Sequence, residues 1–192
     1  MSQIKTNPQT PEELLCKIAS ILGKLNIPYI ITGGMAVAVW GRPRFTADID
    51  VVVKLVAKNI PLLAKTLAKI DKDVYIDEEA IQDAFTQKGE FNFIHPQSGL
   101  KVDFWISKES SYNKLVIERG VRKKIRRQKI NFISPEDLIL SKLIWYKENS
   151  SSRHLEDIES ILKISKVNSA YLEKWTNRQS TLKNLRKILK SS

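Results

Sequence analysis

The residues best placed to do chemistry are Asp48 and Asp50, which open the apolar run Asp-Ile-Asp-Val-Val-Val. Alternate residues of a strand share a face, so the two carboxylates project together. Side by side they repel and raise each other's pKa unless a cation sits between them. Hard cations such as Mg²⁺ take oxygen ligands of this kind. Upstream stands Gly33-Gly34, separated from Asp48 by thirteen residues. Paired glycines suit a backbone that turns tightly and lets a phosphate approach the N-terminus of a following helix. A carboxylate pair for metal beside a glycine turn for phosphate is a plan for metal-assisted phosphoryl or nucleotidyl transfer. Each half alone is ordinary, since Gly-Gly before a helix is usually just a turn and Asp-x-Asp is commonly a solvated strand end. The joint pattern is more specific.

These residues lie in Ile30 to Val53, which reads as an apolar strand, the glycine turn, a short helix from Met35 to Trp40, a basic loop with Arg42 and Arg44, and a second apolar strand. Gly-Gly, a spacer and Asp-Ile-Asp resemble the signature of the DNA polymerase β-like nucleotidyltransferase superfamily. The run GRPRFTADID resembles its small bacterial branch near the abortive-infection toxin-type nucleotidyltransferases. The resemblance implies transfer of a nucleoside monophosphate from a nucleoside triphosphate to a hydroxyl acceptor, with Mg²⁺ or Mn²⁺ as cofactor. It also implies a third carboxylate on a later strand, for which LKVDFWI offers Asp103. On that reading Asp48, Asp50 and Asp103 are catalytic residues and metal ligands, and Gly33 and Gly34 admit the phosphates. Arg44, four residues before Asp48, could neutralise developing negative charge. In the helix SPEDLILSKLIWYK the position of Lys142 matches a motif lysine of the branch, which the resemblance makes a substrate-binding residue facing phosphate, and Asp157 matches a later motif aspartate, which would bind Lys142 or the incoming substrate. Solvent-directed lysine and exposed helix acid are the plain alternatives for these two.

The elements that must hold these residues follow from spacing and caps. Thr10-Pro11-Glu12-Glu13 predicts a helix start, with Leu14, Leu15, Ile18, Ile21, Leu22 and Leu25 on one face. Residues 1–9 are polar and expected to fray. Helical spacing predicts helices over Ala57 to Ile70 and Glu78 to Gln87, followed by strands at Glu90 to His95 and Leu100 to Ile106 joined by a Pro-Gln-Ser-Gly turn. His95 reads as a strand-end residue bonded locally, and neither it nor His154 has a partner at metal-ligand spacing. Arg119, Arg122, Lys123, Lys124, Arg126, Arg127 and Lys129 form a basic cluster leading into a strand at Ile130 to Ile133. It could follow a phosphate backbone such as RNA, or be a solvated hairpin or edge strand that uses charge to prevent sheet-to-sheet pairing. Ser134-Pro135-Glu136-Asp137 predicts another helix start. Helices follow at Arg153 to Ile164 and over residues 169–189, the last with Leu182, Leu185, Ile188 and Leu189 inward.

The fold class expected is α+β, a nucleotidyltransferase-type mixed sheet packed by helices. Its divisions would be an α/β core at 1–133 and a helical segment at 134–192 packed on the core. A chain of 192 residues with 42% apolar content suits one substantial core plus an appended segment. No apolar run reaches the ~18 residues of a membrane span, and the N-terminus has no secretory h-region. The single cysteine, Cys16, fits a reducing cytoplasm. A net charge of +11 and an isoelectric point near 9.7 attract polyanions. Two other readings stand beside catalysis: a nucleotidyltransferase-fold protein that binds nucleic acid or a partner without catalysis, and one half of a toxin-antitoxin pair whose partner comes from a neighbouring gene.

Overall fold

The structure is a computed structural model, and it describes residue 8, residues 10–74 and residues 76–191. The fraying expected of residues 1–9 falls, apart from residue 8, outside the described residues. Among the described residues the order is α1 (Pro11–Lys24), β1 (Tyr29–Ile31), α2 (Gly33–Trp40), β2 (Asp48–Val53), α3 (Ile60–Leu67), α4 (Glu78–Gln87), β3 (Glu90–Ile94) and β4 (Lys101–Ile106). Next come α5 (Ser111–Glu118), β5 (Val121–Ile125), β6 (Gln128–Phe132), α6 (Pro135–Asn149), α7 (Ser152–Ile164), α8 (Ser169–Arg178) and α9 (Leu182–Ser191). Contacts group the chain into two compact units, the described residues of Met1–Thr32 with Thr46–Phe132, and Gly33–Phe45 with Ile133–Ser192. Division by chain order alone does not contain the second grouping, in which residues 33–45 join the C-terminal helices.

The first unit is built on a six-stranded mixed sheet in the order β3-β4-β2-β1-β6-β5. β1 runs antiparallel to β2 and parallel to β6, and β2 runs parallel to β4. The period-two pattern of β2 and β4 gives the sheet two unlike faces. Ile49, Val51, Val53, Val102, Phe104 and Ile106 are all buried on one side, each such side chain contributing roughly 1.5–3 kcal/mol on leaving water. Phe91 stacks on Phe104 with ring centroids 4.7 Å apart. The alternate residues face the other way and are partly exposed. α1 starts where the caps predict, the Thr10 hydroxyl accepting from the Glu13 N–H at 3.3 Å. The helix expected over Ala57 to Ile70 is instead a 3-10 turn at Ala57–Asn59 followed by α3. Pro61, which has no N–H to give, sits in the first turn and restarts the helix there. Apart from Arg119, which caps the end of α5, the basic cluster lies in the β5–β6 hairpin, with β5 at the sheet edge and Arg126 at positive φ in the turn.

His95 is fully buried and bonded locally: its Nδ1 and the Ser98 hydroxyl share a 2.7 Å hydrogen bond, which ties the strand end to the β3–β4 turn. Its Nε2 lies 3.5 Å from the Asp71 carboxylate, a partner the sequence did not disclose.

In the second unit α2 packs against α6 and α7. Trp40 donates its indole N–H to the Ile133 carbonyl at 2.8 Å, and the Ser165 hydroxyl donates to the Trp40 carbonyl. Gly41 lies so close to α7 that an added Cβ would meet the Ser160 hydroxyl and the Ile161 backbone. α6 opens as predicted, the Ser134 hydroxyl accepting from the Asp137 N–H at 3.1 Å. Residues 169–189 resolve into two helices, α8 and α9. Leu185 and Ile188 of α9 are buried, but Leu189 is 56% exposed, because one residue past Ile188 turns it about 100° off the inward stripe. Among the described residues no helix is long and apolar enough to cross a membrane.

Candidate active site

In the first unit, β2 presents Asp48 and Asp50 on its partly exposed face while Ile49 and Val51 anchor the strand in the core. β4 lies parallel beside it with Asp103 directly opposite Asp50 and Lys101 opposite Asp48. Register partners share a face, so all three aspartates stand on one side. Neighbouring strands are about 4.8 Å apart and alternate residues about 6.6 Å apart, which confines them to one small patch. Asp103, separated from Asp50 by more than fifty residues of chain, is neither across the sheet nor in the apolar core, its side chain being 13% exposed.

Three neighbours shape this patch. Lys101 donates its ammonium to Asp103 Oδ1 at 2.8 Å. That hydrogen bond, against some desolvation and with help from the charges of Asp103, Asp48 and Glu90, holds the Lys101 pKa above its ordinary value. The Trp105 indole N–H points at Asp50 Oδ1 from 3.4 Å. Asn92 of β3 stands opposite Asp103 on the other flank of β4. Lys101 and Trp105 were missed in the sequence, although the alternation Lys-x-Asp-x-Trp in β4 puts them on the acidic face. Asp48, Asp50 and Asp103 are the residues that could hold a divalent cation. Among the described residues no group of three or more His, Cys, Asp or Glu is arranged to enclose one.

The second unit holds the remaining predicted residues. α2 begins at Gly33 itself, two residues earlier than expected, and Gly33 has φ +59°, where a side chain would be strained. Arg44, in the loop after α2, grips Asp157 of α7 with two hydrogen bonds, Nε to Oδ1 at 2.8 Å and Nη2 to Oδ2 at 3.0 Å. Lys142 of α6 adds a third, Nζ to Oδ2 at 2.9 Å. Asp157 and Lys142 are almost wholly buried and Arg44 is one-quarter exposed. Burial pushes the Asp157 carboxyl up, but the hydrogen bonds and charges of Arg44 and Lys142 outweigh it and hold its pKa below the ordinary carboxylate range. His154 is held below the usual imidazole value by burial and by the Lys142 charge, with Asp157 opposing. Two cations on one carboxylate leave an excess of positive charge. Lys142 therefore does not reach out to solvent, and Asp157 is not an exposed helix acid. The grip of Arg44 on Asp157 carried no sequence signal.

A family model described as "Nucleotidyl transferase AbiEii toxin, Type IV TA system" matches residues 21–188. The chain belongs to the AbiEii nucleotidyltransferase family. Among curated protein sequences, none matches this AbiEii-family chain. Solved structures do resemble it. A nucleotidyltransferase-like antigenic protein from Paracoccidioides brasiliensis superposes with a TM-score of 0.56 at 20% identity, covering 93% of this chain and 91% of that one. The antibiotic-resistance factor ANT(2'')-Ia gives 0.55 at 13% identity, covering 92% and 96%. The lincosamide antibiotic adenylyltransferase LnuA, bound to lincomycin, gives 0.54 at 16% identity, covering 83% and 100%. At these identities the likeness speaks for the fold, a nucleotidyltransferase fold with a mixed sheet and flanking helices.

Proposed function

We propose that this chain transfers a nucleoside monophosphate from a nucleoside triphosphate to an acceptor hydroxyl, with Asp48 and Asp50 holding Mg²⁺ or Mn²⁺. The observation that carries this reading is the register of β2 and β4, which sets Asp103 opposite Asp50 and beside Asp48 on one accessible face. Two carboxylates from one strand and one from its neighbour form an all-oxygen donor set of the kind hard cations take. When bound, such an ion supplies positive charge to the triphosphate oxygens. Asp103 either completes the ligand set or accepts the proton of the acceptor hydroxyl. The hydroxyl oxygen then bonds to the α-phosphorus in line as the bond to pyrophosphate breaks. In the second unit, Gly33 and Gly34 offer N–H groups without intrahelical partners and no side chain in the way, which suits phosphate. The surplus positive charge of Arg44 and Lys142 over Asp157 likewise suits a nucleotide.

Isothermal titration with nucleoside triphosphates and Mg²⁺ or Mn²⁺ tests the metal-nucleotide step. Asp48→Asn/Asp50→Asn must lose binding, and retention of wild-type affinity refutes the mechanism. Parallel transfer of labelled nucleotide to total RNA, total protein and aminoglycosides identifies the acceptor.

A second reading rests on the hairpin. Arg122 pairs with Asn131 and Lys124 with Lys129, and the register through β6, β1 and β2 puts these residues on the same sheet face as the aspartates. A row of exposed cations there fits RNA, either as acceptor or as a ligand bound without catalysis. The family description names a toxin-antitoxin system, and on this basis a protein from a neighbouring gene is proposed as partner.

A further inference from the structure

We propose that Lys101 is the resident counter-ion of the carboxylate face and competes with a divalent cation for Asp103. The inference rests on the proposed carboxylate site and specifies what occupies it. Lys101 is the first residue of β4, two before Asp103, and strand alternation brings both to the face that carries Asp48 and Asp50. Its ammonium donates to Asp103 Oδ1 at 2.8 Å, while its backbone sits opposite Asp48. Glu90, opposite Trp105, lies farther along the same face and is exposed.

Charge and exposure decide which way the competition runs. Three carboxylates with one ammonium among them leave two negative charges, which one divalent ion cancels. Without the ammonium a third negative charge would remain, and a second ion would be drawn in. The Lys101 side chain is 39% exposed against 13% for Asp103, so the lysine, on its flexible stem, is the member able to leave. Asp103 is pinned within the sheet by strands on both sides. Asp48 and Asp50 thus form the standing ion site, and Asp103 is reached only when Lys101 lets go. Lys101 acts as a positioning residue that sets how many ions the face accepts.

The test is a manganese titration of the full chain, following free Mn²⁺ by electron paramagnetic resonance and heat by calorimetry, with no nucleotide present. Wild type is expected to take one ion per chain. Lys101→Met, which keeps the length of the stem and removes the charge, is expected to bind the first ion about tenfold tighter or to take a second, since a unit charge within a few ångströms is felt strongly in a half-exposed site. Lys101→Arg, which keeps the charge, is expected to behave as wild type and also reports on folding. Equal stoichiometry and affinity in wild type and Lys101→Met overturn the proposal, as does Lys101→Arg behaving like Lys101→Met. If the ion binds equally to both and is lost in Asp48→Asn/Asp50→Asn, only the role of Lys101 falls. If neither protein binds manganese, the carboxylate site falls with it.

Discussion

Replacing Asp157 by asparagine should destabilise the second unit far more than replacing either of its cations. The carboxylate is 3% exposed and neutralises Lys142, which is 9% exposed, and Arg44, which is 25% exposed. Removing one member of a buried ion pair costs ~3–5 kcal/mol because the other is left charged without compensation. The substituted amide would keep the shape and one acceptor oxygen, and Arg44 can still borrow solvent. The lower end, about 3 kcal/mol, is therefore expected. Lys142→Met is a different perturbation: it removes a buried charge and leaves the two-point grip of Arg44 on Asp157 intact, so its cost should be about 0–1 kcal/mol. The pair of variants separates loss of a charge from stranding of one. Urea unfolding followed by circular dichroism gives both values, and in a thermal melt the first corresponds to about 6–12 °C for a chain of this length. The double variant should recover part of the loss, because Arg44 alone then remains uncompensated. An Asp157→Asn cost below about 1 kcal/mol, or a Lys142→Met cost equal to it, would refute the argument.

Three further outcomes are expected. Because the folded-state pKa of Asp157 is depressed, the stability it contributes should be complete above the ordinary carboxylate value of 3.8 and disappear as pH falls through the lower folded value; urea midpoints between pH 6 and pH 2 read this, and Asp157→Asn should flatten the acid limb. Gly41→Ala should cost ~1–3 kcal/mol through crowding of the Ile161 backbone, whereas Gly23→Ala, where a Cβ meets nothing, should be neutral or stabilising in the same assay. Lys124→Glu/Lys129→Glu should weaken RNA binding and lower its salt dependence, with the slope of log affinity against log salt falling by about two or more; an unchanged slope in a filter-binding series would show that this row touches no phosphate.

How much of this was legible beforehand depended on how local the cause was. Caps were legible, since Thr10 and Ser134 act on N–H groups three residues away. The face shared by Asp48 and Asp50 follows from strand alternation and needs no partner. The meeting of Asp50 with Asp103 needed a parallel pairing across fifty residues, which apolar patterning allows but does not select. Arg44 and Asp157, 113 residues apart, carry no mutual signal at all. Lys101 was readable in the alternation of LKVDFWI yet overlooked beside the more conspicuous aspartate. The Arg126 turn lacks the glycine that marks most left-handed positions, and Leu189 was placed inward because its apolarity outweighed the helical phase.

The grouping of residues 33–45 with the C-terminal helices has a consequence for synthesis. α2 finishes at Trp40, but α6 and α7, the helices it rests on, are still to be made. At roughly 5–20 residues per second, the intervening stretch of about 90 residues takes about 5–20 s to emerge. Throughout that interval an almost wholly apolar octapeptide, GGMAVAVW, waits on the nascent chain without its shelter. A ribosome stalled before residue 133 would release a fragment whose α2 lacks both helices it rests on, so residues 135–164 govern whether residues 33–40 stay dissolved.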